Sequence, residues 1–241
     1  MTPSLLALDT ATEVLALALT TPTGRWLRNE AGGALSSARL LPLVNALMAE
    51  AGQPLAALQA IAFGHGPGAF TGLRTACAVA QGLAFGLGRP LLAIDSLLIV
   101  ADDARQRHGG EHWWVAMDAR MDEAYAALYQ HDGSRWQALR APQLYTRGAL
   151  AAIWLAEPPQ RVAGSAVTAF ADSLPWGAAL QVGAEHDRAA ALLRLAEAAW
   201  RDGPRLDAAD ALPLYLRDKV ALTTAERQLV KAAAVTAGGA A

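Results

Sequence analysis

One arrangement occurs twice in this chain. Ala7-Leu8-Asp9 is followed at Glu13 by a second carboxylate and then by the apolar run Val14 to Leu19. Ala116-Met117-Asp118 is followed at Asp122 by a second carboxylate and then by Ala124 to Tyr129. Apolar stretch, acidic turn, apolar stretch is the pattern of a hairpin with largely buried strands. Its return after the break His108-Gly109-Gly110 marks an internal duplication. That is a severe constraint, because each copy must bury its own sheet and the copies must then close on each other.

The elements around each hairpin keep one order. Leu5 to Leu8, Val14 to Leu19 and Arg25 to Asn29 read as three strands, with a turn at Pro22/Gly24. Ser36 and Ser37 lead into a helix from Leu40 to Ala51, whose Pro42 is tolerated in a first turn and which Gly52 stops. A strand at Ile61 to Phe63, a helix from Thr71 to Leu87, a strand at Pro90 to Ile94 and a helix from Ser96 to Arg107 complete the first half. In the second, a third strand at Trp136 to Leu139, a helix at Thr146 to Leu155, a strand at Arg161 to Ala163 and a long helix at Asp187 to Trp200 follow the hairpin. Two βββαβαβα halves describe an α/β protein of the duplicated ribonuclease-H-like (actin-like ATPase) class, which binds nucleotide between its halves. The expected divisions are a subdomain at residues 1–108, a second at 111–220, and a weakly helical tail at 221–241.

The stretch from Ile61 to Gly88 departs most from an ordinary strand-turn-helix. Glycines at 64, 66, 68 and 72 suit positive φ or a close backbone approach, Thr71 can cap the helix, and a helix N-terminus beside such a loop can hold an anion. A tight turn with no ligand is the alternative. The pattern is neither a Walker A loop nor a dinucleotide fingerprint. From Ala76 to Leu87 only Gln81 is strongly polar, so the helix lacks the polar face expected of one that covers a sheet. Ala78, Gly82 and Gly86 recur every fourth residue and form a track that another backbone can approach closely. Two readings stand: a helix buried on both sides within its own chain, or a subunit interface. In the preceding helix Leu40, Leu43, Val44 and Leu47 make the core stripe, with Leu41 and Met48 off it. The candidate interface residues are Leu41, Val44, Met48, Arg74, Ala78, Gln81, Gly82, Phe85 and Gly86.

Chemistry is less visible. Asp9 and Asp118, one per half, are placed to face each other across a cleft and hold a magnesium-bound phosphate; with Thr10, Gly66, Gly68 and Thr71 they are the candidate nucleotide or loop contacts. Neither acidic hairpin contains a glycine to leave backbone amides open, so Asp9 reads better as capping its own turn. No cofactor is expected beyond weak ATP or ADP binding. The five histidines include no HxxxH or HExxH pair, so no metal site is expected, and Ser165 has no evident base partner. The single cysteine, Cys77, sits in the apolar helix. With a formal net charge of −2 the surface is no nucleic-acid magnet, and contact with tRNA would need a partner's charge. The apolar amino terminus lacks a basic region and is interrupted by Asp9 and Glu13, so neither a signal peptide nor a membrane span is expected, and the location is read as cytoplasmic.

Leu6-Ala7-Leu8-Asp9-Thr10, Arg39-Leu40-Leu41-Pro42, Gly66-Pro67-Gly68-Ala69-Phe70-Thr71-Gly72-Leu73-Arg74, Ala80-Gln81-Gly82-Leu83-Ala84, Asp118-Ala119-Arg120 and Tyr215-Leu216-Arg217 together resemble the bacterial TsaB (YeaZ-type) family over residues 4–220. The resemblance implies a non-catalytic dimerisation subunit that works with the catalytic paralogue TsaD and the ATPase TsaE to place threonylcarbamoyl on the adenosine next to the anticodon of tRNAs reading codons that begin with A. It further implies a heterodimer with TsaD, a homodimer when TsaD is absent, and tRNA contact only through the complex. The family usually has Ser where this chain has Ala69, and a His-Ser pair where it has Ser36-Ser37. The metal histidines of TsaD have no counterpart in Asp95-Ser96-Leu97-Leu98-Ile99-Val100. An actin-like ATPase or small-molecule kinase, and a glycoprotease-type metallopeptidase, are the rival readings.

Overall fold

The structure, a computed structural model, describes residues 2–217; the expected tail at 221–241 lies outside them. The first half runs β1 (Leu5–Asp9), β2 (Val14–Thr21), β3 (Gly24–Ala31), α1 (Ser36–Glu50), β4 (Ala60–Gly66), α2 (Phe70–Leu87), β5 (Leu91–Asp95) and α3 (Ser96–His108). The second runs β6 (His112–Arg120), β7 (Glu123–His131), β8 (Trp136–Thr146), α4 (Arg147–Ala156), β9 (Arg161–Ala163), α5 (Ala166–Ala169), β10 (Leu180–Val182) and α6 (Arg188–Asp202). Both are βββαβαβα. Their five-stranded sheets have one topology, β3-β2-β1-β4-β5 and β8-β7-β6-β9-β10, so the duplication read from the two hairpins extends to every strand. The hairpins are antiparallel, with Leu8 opposite Leu17 in the first and Ala116 opposite Ala126 in the second, and the crossover strands are parallel.

Alternation along the first sheet decides which helix each face receives. Leu6, Leu8, Leu15, Leu17, Leu19, Ile61 and Phe63 point to the side covered by α1 and α2. The opposite side is paved with small residues, Ala7, Ala16, Ala18, Ala60 and Ala62, against Ala189, Leu192, Leu193 and Ala196 of α6. The last helix of the second half therefore packs on the sheet of the first. In return α3, from the first half, lays Leu97, Val100, Ala101 and Ala104 on Trp113, Val115, Ala127 and Tyr129 of the second sheet. Trp114, Ala116 and Val162 on the far face of that sheet pack with Leu150 and Trp154 of α4.

Some sequence expectations need correction. The helix expected from Leu40 begins at Ser36, which puts Pro42 inside it; Pro42 and Ala38, whose carbonyl the missing N–H would have served, are both solvent-exposed, so water can take the bond. The third strand of the second half runs on to Thr146. α5 and β10, which the order βββαβαβα requires, were given no position from the sequence, since elements of four and three residues are too short to show a period.

Candidate functional site

A cleft of about 770 Å³ opens between the halves at the carboxyl ends of β1, β4, β6 and β9, where α/β sheets place ligands. Both acidic hairpins and the glycine loop reach it, through Thr12 and Glu13, Asp118 to Met121, and Pro67 to Phe70. Of the six candidate contacts only Gly68 and Asp118 line it; Asp9, Thr10, Gly66 and Thr71 do not.

Asp9 is withdrawn from the cleft by a second residue. Its side chain and that of Arg188, the first residue of α6, are both fully buried. Arg188 Nε donates to Asp9 Oδ1 at 3.0 Å, its Nη1 donates to Glu185, and its Nη2 donates to the Ser96 carbonyl at 3.3 Å. Ser96 Oγ donates to Asp9 Oδ2 at 2.9 Å, and the Ala11 amide to Oδ1 at 3.0 Å. Burial alone would lower the pKa of Arg188, but Asp9 and Glu185 outweigh it and hold the guanidinium above its ordinary value. Of the two readings of Asp9, the capping of its own turn stands, through the Ala11 amide, and the facing of Asp118 across the cleft does not. The carboxylate that would meet a magnesium ion meets an internal cation instead, and Asp118 forms its own ion pair with Arg120 at 3.1 Å.

The glycines of the loop serve this packing. A Cβ at Gly64 would overlap the Asp9 carboxylate, one at Gly72 would overlap the Thr10 carbonyl, and one at Gly68 would come within 2.6 Å of the Ala11 carbonyl oxygen. The loop is thus pressed onto the first hairpin, and the ligand-free turn describes it better than an anion cradle. Thr10 is buried, its hydroxyl donating to the Gly72 carbonyl at 2.6 Å. Thr71 does not cap α2: the cap position is Ala69, which offers no side-chain acceptor, and Thr71 takes a hydrogen bond at its carbonyl from Thr75. Gly66, with φ 121°, lies against the Leu214 carbonyl.

The candidate interface residues divide. Val44 and Met48 belong to the core, Met48 being only 4% exposed, because Met48 lies one turn after Val44 and two after Leu40 on the stripe that faces the sheet. Gln81 is half-buried, and its Nε2 donates to the Ala208 and Ala211 carbonyls at 2.9 and 3.0 Å. Leu41, Arg74, Ala78, Gly82, Phe85 and Gly86 face solvent, with Leu41 at 46% and Phe85 at 82% exposure. α2 is accordingly buried on one face only, through Leu73, Ala76, Cys77, Ala80 and Ala84, and its outward face is nearly as apolar as its inward one. A Cβ at Gly82 or at Gly86 would meet nothing within 4 Å.

Arg188 escaped sequence reading, although a cation directly after a helix cap works against the helix dipole and signals a carboxylate nearby. Across the halves, Tyr129 donates to Asp95 Oδ2 at 2.5 Å while Asp95 caps α3; burial raises the Asp95 carboxyl against the downward pull of that bond, and burial with the neighbouring Asp95 raises the Tyr129 phenol. Among the described residues no three His, Cys, Asp or Glu side chains converge to hold a metal ion, and no helix is long and apolar enough to cross a membrane.

Comparison with known proteins agrees with the repeat and the topology. Residues 32–161 match the family model for TsaD, tRNA N6-adenosine threonylcarbamoyltransferase. The tRNA threonylcarbamoyladenosine biosynthesis protein TsaB of Escherichia coli K12 is 31% identical over 231 residues, covering 90% of this chain and 96% of that protein. TsaB of Haemophilus influenzae is 41% identical over 122 residues, which span about half of each chain. Among solved structures, YeaZ from Pseudomonas aeruginosa superposes with a TM-score of 0.80 at 40% identity, covering 89% of this chain and all of that one. A further crystal structure, of a protein described by its similarity to the peptidase YEAZ from the same species, gives 0.81 at 40% identity. By sequence identity over nearly its whole length and by fold, the chain belongs to the TsaB (YeaZ) family.

Proposed function

We propose that this chain is the non-catalytic scaffold subunit of a tRNA threonylcarbamoyladenosine machinery, pairing with TsaD, working with TsaE, and meeting tRNA only through the assembly. One observation carries the reading: the outward face of α2, where Ala78, Gly82, Phe85 and Gly86 are exposed on a helix with none of the described residues against a side chain at Gly82 or Gly86. Glycine inside a helix costs about 0.5–1 kcal/mol relative to alanine, and no contact among the described residues offsets it. Close approach by another backbone would. Leu41 on α1 and Arg74 on α2 extend the face. Two facts support the non-catalytic part: Asp9 is buried against Arg188, and the glycine loop is closed onto the first hairpin. The same facts disfavour the ATPase and kinase readings, leaving at most weak nucleotide binding in the cleft and no resident cofactor.

The test is co-purification with the TsaD of the same organism, and sedimentation of the chain alone. The expected result is a heterodimer, replaced by a homodimer in the absence of TsaD, with both lost in Gly82→Arg while thermal melting shows the variant folded. A folded Gly82→Arg protein that keeps wild-type affinity for TsaD would place the interface elsewhere. Steady-state ATP hydrolysis by the isolated chain, abolished by Asp9→Ala, would replace the scaffold reading with an enzymatic one.

A further inference from the structure

After α6 the chain does not leave the molecule. Leu206 pairs with Leu91 at the edge of the first sheet, the Ala208 and Ala211 carbonyls accept from Gln81, and the Leu214 amide donates to the His65 carbonyl at 2.6 Å. The Leu214 carbonyl sits where a side chain on Gly66 would be. Tyr215 then stacks on Phe70 with ring centroids 5.2 Å apart, and Arg74 Nε donates to the Tyr215 hydroxyl at 2.9 Å while its guanidinium lies 3.7 Å from the centre of the Phe70 ring. Two residues on, Arg217 crosses to the other half. It donates to the Ala119 carbonyl at 2.9 Å and pairs with Glu123 at 2.6 Å, at either end of a hairpin whose tip, Arg120-Met121-Asp122, holds three consecutive non-glycine residues at positive φ. Phe70, Met121 and all four residues from Leu214 to Arg217 line the cleft.

We infer that Tyr215-Leu216-Arg217 is a latch that couples the outward face of α2 to the cleft: a surface that seats on that face and draws Arg74 away from Tyr215 loosens the strap and, through Arg217, the second hairpin. Arg74 suits this role because it belongs to both places. It stands one helical turn before Ala78 on the exposed stripe of α2, and it is the group that holds Tyr215 from the solvent side. The bond it makes is exposed, so its net worth is that of a single solvent-competed hydrogen bond, which a carboxylate on a docking partner can outbid. The Arg217 contacts lie deeper, with that side chain 14% exposed, so movement of the strap reaches the hairpin rather than being lost at the surface. The inference rests on the docking reading above only for what pulls the latch; the coupling itself belongs to the isolated chain.

Hydrogen exchange of the full chain, dilute enough to be monomeric, tests it with Tyr215→Phe, which keeps the ring and removes only the hydroxyl, and with Arg89→Ala as an exposed-arginine control. The expected result in Tyr215→Phe is exchange faster by about three- to tenfold at Leu214 and across residues 119–123, the equivalent of one lost hydrogen bond, with β1 and β4 unchanged and the control unchanged throughout. Arg217→Met is expected to speed exchange at Leu214 as well as in the hairpin, because coupling is reciprocal. Hairpin exchange at the wild-type rate in Tyr215→Phe overturns the latch. Under conditions where α2 is occupied by TsaD or by a second copy, exchange at 119–123 is expected to rise; an occupied α2 with an unmoved hairpin also overturns it. Failure of any partner to bind would remove the docking reading and leave the dilute-chain result to decide the coupling.

Discussion

Arg188 opens a helix at the end where free amides already carry positive charge, a position that disfavours a guanidinium. It stays there because Asp9, Glu185 and the Ser96 carbonyl surround it with acceptors. Removing one partner of a buried pair strands the other charge, so Asp9→Asn and Arg188→Met are each expected to cost about 3–5 kcal/mol of folding stability. The double change Asp9→Asn with Arg188→Met is expected to cost less than the two single costs added, because neither Asp9 nor Arg188 is then left as a stranded charge, while the Asn side chain still hydrogen-bonds Ser96 and Ala11; urea unfolding of the single and double variants checks both statements. At this scale the sequence was half legible. The repeat singled out Asp9 as a position of note, but its partner lies 179 residues away, and an ion pair that distant leaves no local pattern. The same holds for Tyr129 and Asp95, one in each half.

Helix ends and helix faces were read with more success where the signal was chemical than where it was positional. Gly88, in the left-handed conformation, closes α2 with its amide on the Ala84 and Phe85 carbonyls, as a glycine after an apolar run should. The start was misplaced by a residue type: Thr71 suggested a cap, but the backbone puts Ala69 in the capping conformation. Ala69→Ser is therefore expected to stabilise the chain by about 1 kcal/mol by giving the first turn an acceptor, measured as a higher urea midpoint at constant slope. Met48 was misassigned although it follows Leu40 and Val44 at i+8 and i+4, the spacing of one buried stripe, whereas the apolar outer face of α2 was visible from its lack of polar residues. Gly82→Ala separates the two demands on that face. None of the described residues meets a Cβ there, so the isolated protein is expected to gain about 0.5–1 kcal/mol. Association through the track should weaken in the same variant, and melting beside sedimentation reads both.

The molecule as a whole is two five-stranded sheets and three helical layers: α1 and α2 outside one sheet, α4 and α5 outside the other, and α6 with α3 between them. The duplication and the hairpin that opens each half were legible because alternating apolar runs and acidic turns are local patterns; the exchange of α3 and α6 was not, because a helix does not announce which sheet it will cover. Net charge is a whole-molecule property too. At −2 the isolated chain is expected to bind tRNA only non-specifically, and submicromolar binding at physiological salt in a filter assay would contradict that. The crossing of α6 carries a consequence for how the protein is made. The alanine-paved face of the first sheet is covered by residues 189–196, so a chain emerging from the ribosome completes five strands long before it has the helix that seals them. Until α6 has emerged, the amino-terminal half is an unfinished surface, sticky and unable to refuse wrong neighbours. The helix that seals that face is translated only after every strand of the second sheet.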